Sequence, residues 1–407
     1  MKNKLTKVSI LIGCVLCASF APTAFGNHRS GDFALPELIR MADFDGDGIK
    51  DLAVNLAGFD HVAILKGDGH ANFTVQRQIE TDTLPKGVAM GDFDKDGHLD
   101  LATIQEWGYN IKVNLGDGLG GFTFAGELNG DGEPTRIYTA DLNNDGNLDL
   151  IANAPQEGKV LIYFGNGKGG FATAAEEIED HSNCQAVGIG DFNGDGNLDL
   201  AIAFYEDKTA TGSHTDILLG DGAGNFTSIG QFDTNPEATN AVPVDINRDG
   251  NLDLVLSGAG AENQQGIFVQ VFLGDGTGNF TNKRTLDLGL GSIKGDMTLA
   301  DFNEDGNLDV AVPISSFGDE KHNKSTMCDI FLGDGTGNLT QGQTATVGQE
   351  PQTAVASDFD GDGHIDLVVS NRSDATISVL HGNGNGTFTT HATINVNALP
   401  AGSLAPK

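Results

Sequence analysis

Short apolar runs rich in β-branched residues punctuate the chain, each bounded by Gly, Asn or Asp. Leu52-Ala53-Val54 and Val62-Ala63-Ile64-Leu65 lie near its start, Leu367-Val368-Val369 and Ile377-Ser378-Val379-Leu380 near its end. They are too short for helices and lack a 3.6-residue spacing, so the pattern predicts strands throughout. Two polar motifs alternate between the runs. The first is acidic: DFDGDGIKDL from Asp43, DFDKDGHLDL from Asp92, DLNNDGNLDL from Asp141, DFNGDGNLDL from Asp191, DINRDGNLDL from Asp245, DFNEDGNLDV from Asp301 and DFDGDGHIDL from Asp358. Successive first residues are spaced by 49, 49, 50, 54, 56 and 57. The second motif is glycine-rich: KGDGHANFT at Lys66, LGDGLGGFT at Leu115, FGNGKGGFA at Phe164, LGDGAGNFT at Leu219, LGDGTGNFT at Leu273, LGDGTGNLT at Leu332 and HGNGNGTFT at His381. Its Gly-Asp/Asn-Gly core reads as a tight reversal in which Gly supplies the positive-φ positions of a hairpin.

Each repeat therefore holds four strands, one entering and one leaving each motif, and four strands in a period of about fifty residues predict a propeller blade. Pro36, Pro85, Pro134 and Pro351 each stand seven residues before the first Asp of their loop, which sets the phase. The expected fold is all-β, a seven-bladed β-propeller of four-stranded antiparallel blades over 27–407, with blades at 33–82, 83–131, 132–181, 182–235, 236–291, 292–348 and 349–400. The tail from Thr389 to Val396 is expected to finish the seventh blade, so the ring has no missing edge. Helical repeats conflict with the glycine density, and a stacked β-helix would need a much shorter period.

Within every acidic loop positions 1, 3, 5 and 9 are Asp or Asn and position 6 is Gly. Odd positions of a tightly wound loop converge on one point, and Gly permits the bend that returns position 9. With the backbone carbonyl of position 7, this set of hard oxygens suits Ca2+; Mg2+ wants a strict octahedron, and Zn2+ wants His or Cys. Up to seven Ca2+ ions are expected. The ligands would be Asp43, Asp45, Asp47, Ile49 and Asp51 in loop 1, Asp92, Asp94, Asp96, His98 and Asp100 in loop 2, and Asp141, Asn143, Asp145, Asn147 and Asp149 in loop 3. Loop 4 offers Asp191, Asn193, Asp195, Asn197 and Asp199, loop 5 Asp245, Asn247, Asp249, Asn251 and Asp253. Loop 6 offers Asp301, Asn303, Asp305, Asn307 and Asp309, loop 7 Asp358, Asp360, Asp362, His364 and Asp366. An EF-hand would need Glu at position 12, where this chain has Val54, Thr103, Ala152, Ile202, Leu256, Val312 and Val369. Solvated Asp-Gly turns, the plainer alternative, would not require Asp at position 9.

The 57 acidic against 23 basic residues, a net charge of −34, exclude duplex nucleic acid and anionic membrane surfaces as partners, which need clustered Lys and Arg. Residues 1–26 read as a signal peptide: Lys2, Lys4 and Lys7, an apolar run from Val8 to Phe20, then Ala24-Phe25-Gly26. The protein is accordingly expected to be secreted, to the periplasm, cell surface or beyond, and to be monomeric. An alternative takes Leu11-Ile12-Gly13-Cys14 as a lipobox, with a membrane anchor only through lipidated Cys14. Beyond that segment only Cys184 and Cys328 remain, too few for a disulfide scaffold, though one bridge between them stays open.

Both motifs in all seven repeats resemble the FG-GAP and VCBS-type repeats, the calcium-binding blades of the integrin α-subunit head and of many bacterial surface and secreted proteins. The resemblance implies the fold and the metal. For function it implies a range, from adhesion modules and lectins to a few polysaccharide lyases.

From the first Asp of each loop to the first Gly of its turn the separation is 24, 24, 24, 29, 29, 32 and 24 residues. The added length in blades 4, 5 and 6 falls between strands two and three, on the face opposite the acidic loops, and nominates that face for binding. Neutral insertion is the alternative. Tyr205, His214, Asn263, Gln264, Phe317 and His322 of these segments, with Trp107 and Tyr109 of blade 2, are the candidate ligand contacts; for Trp107 a buried packing role is the favoured reading. The first functional expectation is a non-catalytic module for an extracellular protein or glycan. The second is a lyase-like enzyme acting on polysaccharide, which would need a base such as His214 or His322 beside a cation or Arg.

Overall fold

The computed structural model describes residues 34–81, 84–105, 110–130, 132–172, 176–179, 183–205, 213–259, 266–315 and 326–398; the expected signal peptide lies outside them. These residues form 28 strands in seven antiparallel sheets of four. In blade 1 the strands are Pro36–Ala42, Asp51–Leu56, His61–Gly67 and Phe73–Glu80, and in blade 7 Pro351–Ser357, Asp366–Asn371, Thr376–Gly382 and Phe388–Asn395. Within every sheet the strands lie in chain order, so each blade is one contiguous repeat. The second strands are buried on both faces, which explains their unbroken apolar sequences. The fourth strands, such as Phe122–Asn129, are largely exposed and mark the rim.

The core is not central but interleaved. Seven apolar clusters fill the seven junctions between neighbouring blades, each drawing on two repeats. Position 2 of the acidic loop seals five of them. Phe44, Phe93, Phe192, Phe302 and Phe359 each meet edge-on the Phe of the next blade's glycine turn, Phe122, Phe171, Phe280, Phe388 and Phe73 respectively. Beside each pair the carbonyl of the position-2 Phe accepts an N–H from the same turn: Gly120, Gly169, Gly278, Gly386 and Ala71. Where position 2 is Leu142 or Ile246, neither the ring pair nor this bond occurs among the described residues. An edge-to-face pair adds about 0.5–1.5 kcal/mol beyond the area it buries.

The ring closes without exchanging a strand. Phe73 of blade 1 packs on Phe359 of blade 7 with centroids 5.5 Å apart, and Ala71 donates its N–H to the Phe359 carbonyl at 3.0 Å, just as at internal junctions. On the opposite face Ser370 Oγ donates to the Glu37 carbonyl at 2.7 Å, and Lys294, Glu350, Arg372 and Glu37 form an alternating chain of charge across blades 6, 7 and 1. Burial pushes the Glu350 carboxyl up, but Lys294, Ser373 and Arg372 outweigh it and hold the group below its ordinary value. Nearer the axis Arg40 of blade 1 pairs with Asp296 of blade 6 at 3.0 Å. Cys184 and Cys328 are both buried and lie unbridged in two different junctions, which removes the bridge between them.

Candidate metal centres

Position 9 of the acidic loop is wholly buried in all seven blades. Its two oxygens divide their work. In loop 1 Asp51 Oδ2 accepts the N–H of Phe44 at 3.0 Å and Oδ1 accepts that of Gly67 at 2.9 Å, so one carboxylate staples the acidic loop to the glycine turn. Asp100, Asp149, Asp199, Asp253, Asp309 and Asp366 repeat both bonds. The approach is so close that a Cβ on Gly67 would stand 2.2 Å from the Lys50 carbonyl oxygen, and one on Gly333 2.1 Å from that of Leu308. The first glycine of the turn is thus required for proximity; of the two glycines in the Gly-Asp/Asn-Gly core only the second, such as Gly69 at φ 73°, supplies the positive φ that the turn motif predicts.

The remaining carboxylates wind the loop. The oxygens of position 1 accept N–H groups from position 4 or 5 and from position 6, and position 5 accepts that of position 7, as Asp43 and Asp47 do from Gly46, Gly48 and Ile49. Position 7 (Ile49, His98, Asn147, Asn197, Asn251, Asn307 and His364) therefore donates its N–H within the loop. Carboxylate crowding is greatest where position 3 is Asp. Asp43, Asp45 and Asp51 bring one oxygen each within 4.8 Å of one another, as do Asp92, Asp94 and Asp96, and Asp358, Asp360 and Asp362. Burial first, then the like charges of the loop, push Asp100, Asp149 and Asp309 up to about 6 and raise the other position-9 carboxyls.

The loops are not equivalent. In loops 3 to 6 the amides of Asn143, Asn193, Asn247 and Asn303 donate to Asp145, Asp195, Asp249 and Asp305, so ligation there requires those amides to turn. In loop 1 Lys66, which stands where blades 2 to 6 have Leu or Phe, bonds Asp45 and reaches Asp47 Oδ2 at 2.8 Å, while Asp45 Oδ1 stays buried without a partner. At the matching position of blade 7, His381 Nδ1 lies 2.8 Å from Asp360 Oδ2. The aligned repeats carry this signal, KGDG and HGNG against LGDG, but the sequence reading did not use it.

The FG-GAP-like repeat model matches residues 41–103, 150–202, 245–312 and 358–406, more than half of the chain. The chain belongs to the FG-GAP-like repeat family. The matched stretches hold every acidic loop except the third. No curated protein matches. Among solved structures, a periplasmic gluconolactonase from Pseudomonas aeruginosa aligns at 16% identity and TM-score 0.61 over 89% of this chain and 96% of its own. A putative 6-phosphogluconolactonase from Bacteroides uniformis aligns at 10% and 0.60 over 82% and 92%. A protein from Lactobacillus plantarum aligns at 12% and 0.62 over 88% and 96%. At such identities the likeness is one of fold.

On the face opposite the FG-GAP loops, the expected ligand contacts divide. Tyr205 and His214 are not loop residues: they end and begin strands Asp199–Tyr205 and His214–Gly220 and are buried, with His214 against Phe204 and 3.6 Å from Asp216. Strand pairing extends further toward the loop than the separations implied, which draws both rings inside. Trp107, Tyr109, Asn263, Gln264, Phe317 and His322 lie outside the described residues. The sequence reading also missed Arg136, whose buried guanidinium has no hydrogen-bond partner in the innermost strand of blade 3.

Proposed function

We propose that this protein is a secreted, non-catalytic FG-GAP scaffold whose acidic loops take Ca2+ and whose opposite face holds an extracellular protein or glycan. The observation that carries the metal is the crowding of three carboxylates within 4.8 Å in each of loops 1, 2 and 7, an arrangement that is repulsive without a cation. Loop 2 fits best, with Asp92, Asp94 and Asp96 together. Loop 1 brings its own cation, Lys66, which Ca2+ must displace. Bound Ca2+ would supply charge neutralisation, and the residues supply the rest: position 9 joins the loop to the turn, position 1 fixes its winding, and position 3 closes over the site. The binding role is supported by the rigid ring and by the growth of loops in three adjacent blades.

The test compares melting in EDTA with melting in millimolar Ca2+. A site at a hundred times its Kd adds about 2.7 kcal/mol, so several loops together should raise Tm by many degrees; identical curves would sink the metal assignment. A glycan array and pull-down in Ca2+ test the binding role, and retention of no ligand would count against it. A second, lyase-like reading would need the unpartnered guanidinium of Arg136, which is buried, to open toward a uronate. Absence of unsaturated product across a panel of uronic-acid polysaccharides would remove it.

A further inference from the structure

We propose that blade 7 holds a site for a d-block divalent cation such as Zn2+, built from Asp360, Asp366 and His381 and supported by His391. One oxygen or nitrogen from each of the three ligands lies within 4.8 Å of the others. His381 Nδ1 is 2.8 Å from Asp360 Oδ2 and 3.6 Å from Asp366 Oδ1. Asp366 is wholly buried, whereas a quarter of the His381 side chain is exposed, at 26%, which leaves a side open to water. On the far side of the ring His381 Nε2 is 2.5 Å from Nδ1 of His391. A bulge brings His391 there: Val379 pairs with Ala392 and Leu380 with Thr390, so His391 is the extra residue and is re-aimed across the sheet.

Proton inventory decides what faces the carboxylates. Asn72 of blade 1 donates its Nδ2 to Asp68 Oδ2 at 3.0 Å, so its Oδ1 is an acceptor toward His391 Nε2 at 3.3 Å. Neutral His391 then carries its proton on Nε2 and accepts at Nδ1. His381 must donate from Nε2, and the bare lone pair on its Nδ1 points at two carboxylate oxygens. Three electron-rich atoms in that arrangement need a cation among them. A divalent ion among the three ligand atoms would offset both carboxylate charges. Imidazole bound through one nitrogen and donating through the other is the usual state of a metal-ligating histidine. Mixed nitrogen and oxygen donors with an open position suit Zn2+ and its neighbours better than Ca2+, which prefers oxygen alone. Blades 2 to 6 have Leu or Phe at the His381 position, so this chemistry is confined to blade 7. In loop 7 this ion takes the place of Ca2+, because Asp360 and Asp366 cannot serve both; the site stands whether or not the other six loops take Ca2+.

The test uses the full chain stripped with EDTA and titrated with Co2+ in millimolar Ca2+. One Co2+ per chain should bind with the visible absorption of a low-coordinate nitrogen–oxygen site, and Zn2+ should displace it. His381→Leu, the residue of four sister blades, should abolish that absorption. His391→Phe, which keeps a ring but removes the acceptor, should weaken binding about 10- to 100-fold; this second variant covers the case in which the first misfolds. Equal Co2+ binding by wild type and both variants, or complete displacement of Co2+ by Ca2+, would overturn the proposal. The Ca2+ count of the other loops, measured by equilibrium dialysis, is a separate readout, so the two readings fail separately.

Discussion

Removing divalent cations should reverse the acid response of this protein between about pH 4 and pH 6. Asp100, Asp149 and Asp309 are held at about 6 against an ordinary 3.8, chiefly by burial. Between those values the folded chain binds more protons than the unfolded one, so stability falls as pH rises: the penalty is absent below 3.8 and complete above about 6. At 1.36 kcal/mol per unit, each such carboxyl removes up to about 3 kcal/mol across the window. A chain of 407 residues has an unfolding entropy of about 0.8 kcal/mol/K, so one group shifts Tm by about 3–4 °C. If the loops take Ca2+ as proposed, saturating Ca2+ should reverse the sign, because the ion would bind ionised carboxylates and its stabilisation would be lost as pH falls. Below about pH 4 the turn carboxylates take over; Asp334, held down to about 2 by Asn338 and Thr336, loses its stabilising bonds there. Calorimetry from pH 7 to pH 4 in EDTA and in Ca2+ gives both slopes. Asp100→Asn should flatten the EDTA slope, which separates the buried carboxyl from general relief of the −34 net charge. A Tm in EDTA that falls steadily from pH 7 to pH 4, or an Asn variant with an unchanged slope, would refute the reasoning.

Gly333→Ala places a Cβ 2.1 Å from the Leu308 carbonyl and should cost about 1–3 kcal/mol or more, read as a lower urea midpoint with unchanged m. Phe359→Leu at the seam and Phe302→Leu at an internal junction should lose the same amount to within about 0.5 kcal/mol, including the about 0.5–1.5 kcal/mol of ring pairing; a much larger loss at the seam would show that closure rests on something else. Arg372→Met leaves Glu37 and Glu350 without their shared cation and should cost about 1–3 kcal/mol, less at high salt, by denaturant titration. Lys66→Leu should tighten or add one Ca2+ at loop 1 by equilibrium dialysis, with the other loops unchanged.

Seven blades and their phase were legible because the acidic and glycine motifs keep step over the whole repeat, and because doubly buried second strands read as continuous apolar runs. The role of position 9 was only half legible. Asp51 looked like a closing metal ligand, whereas its oxygens first of all hold Phe44 and Gly67, a contact that crosses 16 residues and leaves no local pattern. The first glycine of each turn was seen as a matter of φ, but close approach to a carbonyl demands it. Tyr205 and His214 were placed on a loop because strand ends cannot be read from spacing to within two residues. Arg40 and Asp296 meet across 256 positions of sequence, and nothing in either neighbourhood signals the other. His391 needed the bulge, a register shift set by strand pairing, before it could join His381.

Because every ladder of backbone bonds is completed inside one repeat, the seam between blades 7 and 1 is chemically the same as most other seams. Ala34 and Asn397 already touch there, at 2.7 Å. A chain cut at another blade boundary and spliced across these two residues would leave all seven sheets intact and would need no re-threading. The blade is therefore a unit that a gene can permute, and an engineered ring opened between blades 1 and 2 should fold as readily as the natural order.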